Sequence, residues 1–161
     1  MTERSGEIVL LRELYVDENV VGKYVRVTGE IIYIDTVLNY CQIRHDDSVL
    51  IVDLNIVTLN ERTRLHSWVQ FIGQVRAWSD VSNRFAAAST EEKFFLYAKI
   101  SRLVDGLDIK LYEEAILVRR VFVAKLRNQQ NSSSAIAGGG GKENTNTNDV
   151  GDTDMQTQED D

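Results

Sequence analysis

The 161-residue chain holds a single cysteine, Cys41, so no internal disulfide can form. That excludes a disulfide-stapled secreted scaffold and fits a reducing compartment. Long apolar runs are missing as well: none approaches the roughly 18 to 20 residues that span a bilayer. The short apolar stretch at residues 8–11 is bounded by Glu7 and Arg12, which is not the pattern of a signal peptide. A soluble intracellular protein without a membrane partner is the expectation. Catalytic signatures are equally scarce. There is no phosphate-cradling Walker-type loop, no GxGxxG and no GxSxG. Gly138 to Gly141 precede Lys142, but no strand leads into them, and they read as linker. His45 and His66 are the only histidines, and with one cysteine they do not supply the paired four-ligand spacing of a structural zinc site. Cys41 lacks a base and an orienting group in its pattern and reads as a small core residue. Neither an enzyme nor a cofactor follows from these residues.

What is present begins with an ordinary globular mixture, 43% apolar and 27% charged. The formal charge of −7 is unevenly spread. Residues 128–161 carry one base, Lys142, and seven acids, a net of −6, so the remaining 17 basic and 18 acidic residues leave residues 1–127 at −1. A near-neutral body does not signal strong autonomous nucleic-acid binding, although a local basic groove stays open. From Asn128 onward the composition is Gly, Ser, Asn, Thr and Gln with acids, which predicts a disordered tail. Three segments follow: an N-terminal extension over 1–22 packing on the body, a folded domain over 23–127, and the acidic tail.

The folded segment reads as five strands and a helix. Over 23–36, Val25 and Val27 alternate with polar residues until Gly29, after which Ile31 to Ile34 occupy both faces. A mid-strand glycine marks a bulge or coil that lets one strand serve two sheets. Residues 38–45 and 48–54 form two more strands joined at Asp46-Asp47. Residues 55–66 read as a short helix or an irregular plug. The alternation returns over 68–78, again broken by a glycine, Gly73, and after a polar loop over 79–92 it returns over 93–103. Five strands, with the first and fourth broken by glycine and a helix at the end, describe an OB-fold barrel. Such barrels hold single strands on aromatic platforms with scattered cations. Tyr40, Gln42 and Arg44 share one face of the second strand. Arg76, Tyr97 and Lys99 extend that candidate groove. Each also has a plainer reading, as a barrel-edge cover or a solvated surface cation.

The helix is expected from about Ile109 to about Arg127, with Asp108 as its N-cap. At 100° per residue from Ile109, Leu111, Ala115, Val118, Phe122 and Leu126 fall between roughly 180° and 260°, while Tyr112, Ile116 and Val123 fall between roughly 300° and 340°. An apolar arc of about 180° exceeds the ~100° that docking on one's own core requires. Either the domain buries both halves itself, or one half awaits a partner.

Two segments carry a family resemblance. Gly22-Lys23-Tyr24-Val25-Arg26-Val27-Thr28-Gly29-Glu30-Ile31 resembles the first strand of small OB-fold subunits. Val104-Asp105-Gly106-Leu107, followed by Leu111-Tyr112-Glu113-Glu114-Ala115-Ile116, resembles the smallest subunit of CST, the telomere-capping single-stranded-DNA complex (the Ten-one family). The resemblance implies a non-enzymatic accessory subunit that pairs with a larger Stn-one-type OB-fold subunit through C-terminal helices. It would act at chromosome ends in the nucleus, on single-stranded telomeric DNA, in a complex that helps recruit the primase–polymerase. It also implies partner contacts at an arginine of the first strand and an aromatic late in the helix, here Arg26 and Phe122. The acidic tail and the β-branched Val118, Val121 and Val123 depart from the family pattern. The smallest subunit of replication protein A shares the layout and is the alternative, beside a stand-alone module of RNA or tRNA metabolism and a barrel that serves only as a protein scaffold.

Overall fold

In the computed structural model, which describes residues 6–80 and 93–136, the longest strand is β2 (Tyr24–Asp35). Its first half pairs antiparallel with β5 (Trp68–Ala77) and its second half with β3 (Tyr40–His45). One strand thus serves two neighbours, as its glycine-broken pattern predicts. Gly29 lies where the pairing changes over, and a Cβ there would stand 3.0 Å from the Ile43 Cβ. The β3–β4 hairpin, with β4 over Ser48–Asp53, turns at Asp46-Asp47, where Asp46 takes a positive φ of 51°. β6 (Phe94–Leu103) runs antiparallel to β5 and parallel to β4. The order β2-β3-β4-β6-β5, with β5 returning to β2, closes a five-stranded barrel. The fold is mainly β and consistent with an OB-fold.

Alternation fills the interior. Val25, Val27, Ile43, Val52, Phe71 and Leu96 are among the residues buried at the barrel core. Gly73 marks the shift in β5–β6 register after Ile72. A Cβ at Gly73 would lie 2.2 Å from the Tyr97 carbonyl oxygen, so only glycine lets the two backbones approach this closely.

Ahead of the barrel, the short β1 (Glu7–Ile8) adds to β2 in parallel. A one-turn helix, α1 (Leu11–Leu14), follows, its start fixed by the Leu10 N–H donating to Glu13 Oε2 at 2.7 Å. Leu11, Leu14 and Val20 enter the main core. Residues 54–67 form turns without a helix, the irregular alternative of the two expected. Leu54, Val57 and Leu59 from that stretch pack partly buried against the core. The polar loop expected over 79–92 lies outside the described residues from position 81, as does the chain before residue 6.

The chain divides into two compact units, one ending at Arg119 and the other starting at Arg120. The first holds the barrel and the opening turns of the terminal helix, α2 (Ile109–Ile136). Asp108 caps it as predicted, its Oδ1 accepting the Leu111 N–H at 3.1 Å. The expected end near Arg127 is corrected: α2 runs on to Ile136, into residues assigned from composition to the disordered tail. The run Asn128 to Ser134 holds neither glycine nor proline, the residues that stop a helix, and the first glycine is Gly138. The tail beyond residue 136 lies outside the described residues. Among the described residues, no helix is long and apolar enough to cross a membrane.

Candidate partner interface and outer groove

Three side chains tie the start of α2 to the barrel. Tyr112 Oη lies 3.3 Å from both Thr28 Oγ1 on β2 and Gln70 Nε2 on β5, and each of these donates to it. Glu113 Oε1 accepts from His45 Nε2 at 3.1 Å and from Arg12 Nη1 at 3.3 Å. Ile116, 6% exposed, is the buried residue of the helix among those described. Just before the helix, Asp105 accepts the Trp68 N–H at 2.7 Å and the Ser67 hydroxyl at 3.2 Å, which fixes where α2 starts. Ile109, Tyr112, Glu113 and Ile116 therefore form the docked arc, centred where the helical wheel places Ile116.

The opposite arc is open. Leu111 is 62% exposed and Val118 68%, and Ala115 between them is exposed too. In the second unit, Phe122 is 61% exposed and Leu126 is also exposed. Sequence reasoning missed two further exposed residues, Leu117 and Val121. They are spaced i, i+4 and lie at roughly 80° and 120° on the wheel, among Lys110 and Glu114, outside the arc first recognised. Arg26 stands on the outward face of β2, two residues before Thr28 and in register with Ile72 of β5. Its Nε is buried without a hydrogen-bond partner. The structure thus places Arg26 and Tyr112's hydroxyl contact on the same strand face.

The candidate groove residues behave differently from one another. Tyr40 is buried rather than open, packed with Ile51 and Phe95 in a second cluster flanked by Leu38, Trp78 and Tyr97. Burial, and secondly the hydroxyl of Tyr33, push the Tyr40 phenol pKa up. Arg76 lies over the Tyr97 ring, its Cζ 3.7 Å from the centroid. Tyr40, Arg76 and Tyr97 are therefore brought to one cluster. Arg44 turns to Glu30, with Nη2 3.1 Å from Oε2. Lys99 turns to Tyr24, donating to its hydroxyl at 2.7 Å. Sequence reasoning passed over Phe95, Ile51, Trp78 and the exposed Tyr33, whose ring centroid is 5.7 Å from that of Tyr40. The available signal was Phe94-Phe95-Leu96: three consecutive large apolar residues place one on the outer face of a strand that otherwise alternates.

His45, Asp46 and Glu113 bring their ligand atoms within 4.8 Å of one another. Arg12 bridges the two carboxylates, at 3.2 Å from Asp46 and 3.3 Å from Glu113, so a cation already meets their charge. The group works as an ionic pin between α1, the β3–β4 turn and α2.

A family model described as telomere-capping, CST complex subunit matches residues 2–126 of the chain. Among solved structures, a chain of the S. pombe Stn1–Ten1 complex superposes with a TM-score of 0.57 at 13% identity, covering 73% of this chain and 94% of that one. The telomere capping protein Ten1 of S. pombe superposes with a TM-score of 0.55, also at 13% identity, covering 72% of this chain and 98% of its own. Identity that low speaks for the fold alone. No curated protein matches the sequence.

Proposed function

The chain belongs to the family of telomere-capping CST complex subunits, and from that premise we propose that it is the accessory OB-fold subunit that pairs with a larger, Stn1-type OB-fold protein through α2. One observation carries the reading: α2 spends its Ile109–Tyr112–Ile116 arc on its own barrel and still exposes Leu111, Ala115, Val118, Phe122 and Leu126. A stripe spaced i, i+4, i+7 on a helix matches the apolar face of a second helix. Arg26, on the strand face of β2 that also carries Thr28, is proposed as a separate partner contact of the barrel. A fold shared with a chain of the S. pombe Stn1–Ten1 complex supports the same choice of partner.

In this reading the pair works in the nucleus at chromosome ends, touching single-stranded telomeric DNA as part of the whole complex and supporting recruitment of the primase–polymerase. The near-neutral body makes the subunit an auxiliary DNA contact, with Tyr40, Arg44, Arg76, Tyr97 and Lys99 as the groove candidates. The test is co-expression of the full chain with a Stn1-type subunit of the same organism, followed by sedimentation and titration calorimetry. A stable 1:1 complex is expected. Phe122→Ala and Arg26→Glu should each weaken it by about 2 kcal/mol or more while the barrel keeps its circular dichroism. A chain that stays monomeric beside that subunit would remove the basis of the proposal.

A further inference from the structure

Outward positions on a barrel strand normally face solvent. Here Tyr40, Ile51 and Phe95 are in outward register, alternating with core residues Cys41, Val52 and Leu96, yet they are 4%, 1% and 1% exposed. The chain's own side chains use the stacking faces. The Trp78 ring lies over Phe95, centroids 5.4 Å apart and planes tilted by 43°. The Arg76 guanidinium lies on Tyr97. An aromatic ring covering an aromatic platform, even tilted, beside a guanidinium over a second ring takes up the surface on which a single-strand-binding groove would stack a nucleobase. Trp78 begins a three-residue 3-10 turn directly after β5, so it is the groove residue at the end of a strand rather than within one.

We propose that Trp78 is an internal stand-in for a base: its indole occupies the Phe95 platform, and a single DNA strand binds by displacing it. This rests on the groove reading above. Displacement exchanges the tilted indole for a base on the same platform, so the free chain binds DNA with an affinity lowered by the fraction of molecules whose groove is open. It also makes Trp78, which sequence reasoning did not select, the residue that sets how readily the groove accepts a strand.

The chain has two tryptophans, so Trp68→Phe leaves Trp78 as the sole indole reporter. The probe is a fluorescein-labelled oligothymidine of about 16 nucleotides, the upper end of an OB-fold site. It is followed by anisotropy with the full chain, alone and with its larger partner. Addition of unlabelled oligothymidine to the Trp68→Phe chain should shift Trp78 emission to the red, as the indole leaves Phe95 for water. Trp78→Ala should bind the probe about fivefold more tightly than the parent chain. If the probe binds while Trp78 emission stays constant, or if Trp78→Ala weakens binding, the stand-in role is wrong and the groove reading survives. If neither the parent nor Trp78→Ala binds, alone or in the complex, both are wrong.

Discussion

Cys41 shows how a barrel interior decides chemistry at a single residue. It is fully buried, and desolvation pushes its thiol pKa up, because the thiolate would have to form without water. Iodoacetamide should therefore leave the native chain unlabelled and modify Cys41 only in denaturant, as read by intact mass; fast native labelling would contradict the closed core. Glu30 is the opposite case. His66 Nδ1 at 2.7 Å and Arg44 Nη2 at 3.1 Å hold its carboxyl below the usual range, with His66 the larger influence. A folded pKa below the unfolded one means the contribution is complete above the ordinary glutamate value of about 4.3 and is lost as pH falls through the folded value. Because Arg44 and His66 are 48% and 74% exposed, the contribution should stay under about 1 kcal/mol. Urea unfolding at about pH 7 and about pH 3 should show wild type losing more stability than Glu30→Gln across that window. Equal losses would mean the cluster is solvated beyond use.

At the scale of elements, the two faces of α2 make separable predictions. Ile116→Ala removes the buried anchor of the docked arc and should cost about 2 kcal/mol in thermal or urea unfolding of the isolated chain. Val118→Ala, on the open arc, should stay within about 0.5 kcal/mol of wild type in the same assay while weakening the partner complex. If both variants unfolded alike, the helix would not be docked as described. The strands and this division of the helix were legible because alternation and the 3.6-residue period are set by burial alone. Gly29 and Gly73 were legible as coiling points for the same reason: a glycine inside a strong strand pattern has little other use. β1 and α1 were less so, because two- and four-residue elements are too short to carry a period; the pairing of β1 with β2 and the burial of Leu11 and Leu14 in the core make them. The end of α2 is not legible in composition, because polar residues alone do not stop a helix, which continues until a glycine or proline ends it. The groove was legible only in part. Tyr40, Arg76 and Tyr97 could be found by facing, but whether a facing aromatic is free or already covered by another side chain depends on residues distant in sequence, here Phe95 and Trp78.

At the scale of the whole chain, charge is divided more sharply than structure. Residues 1–136 sum to −1, from 17 bases and 18 acids, and residues 137–161 sum to −6, from Lys142 against seven acids. On the proposed reading, in which the body contacts DNA weakly, an acidic segment tethered to it competes with phosphate for the same few cations and repels the strand as it approaches. That effect belongs to the net field, so it should depend on the number of acids and on ionic strength, and hardly at all on their order. Changing Glu143, Asp149, Asp152, Asp154, Glu159, Asp160 and Asp161 together to their amides, in the full chain, should tighten oligothymidine binding about threefold at low salt. The advantage should fade as salt approaches ~1 M, where screening shortens the Debye length to about 3 Å. Binding to the larger OB-fold partner should change little, because the surface proposed for it is built on apolar contacts of α2 rather than on net charge. Anisotropy titrations across a salt series measure the first effect and calorimetry the second. A threefold gain that persisted at high salt would point to a direct contact of the tail with the groove, and no gain at low salt would show that the acids do not reach it.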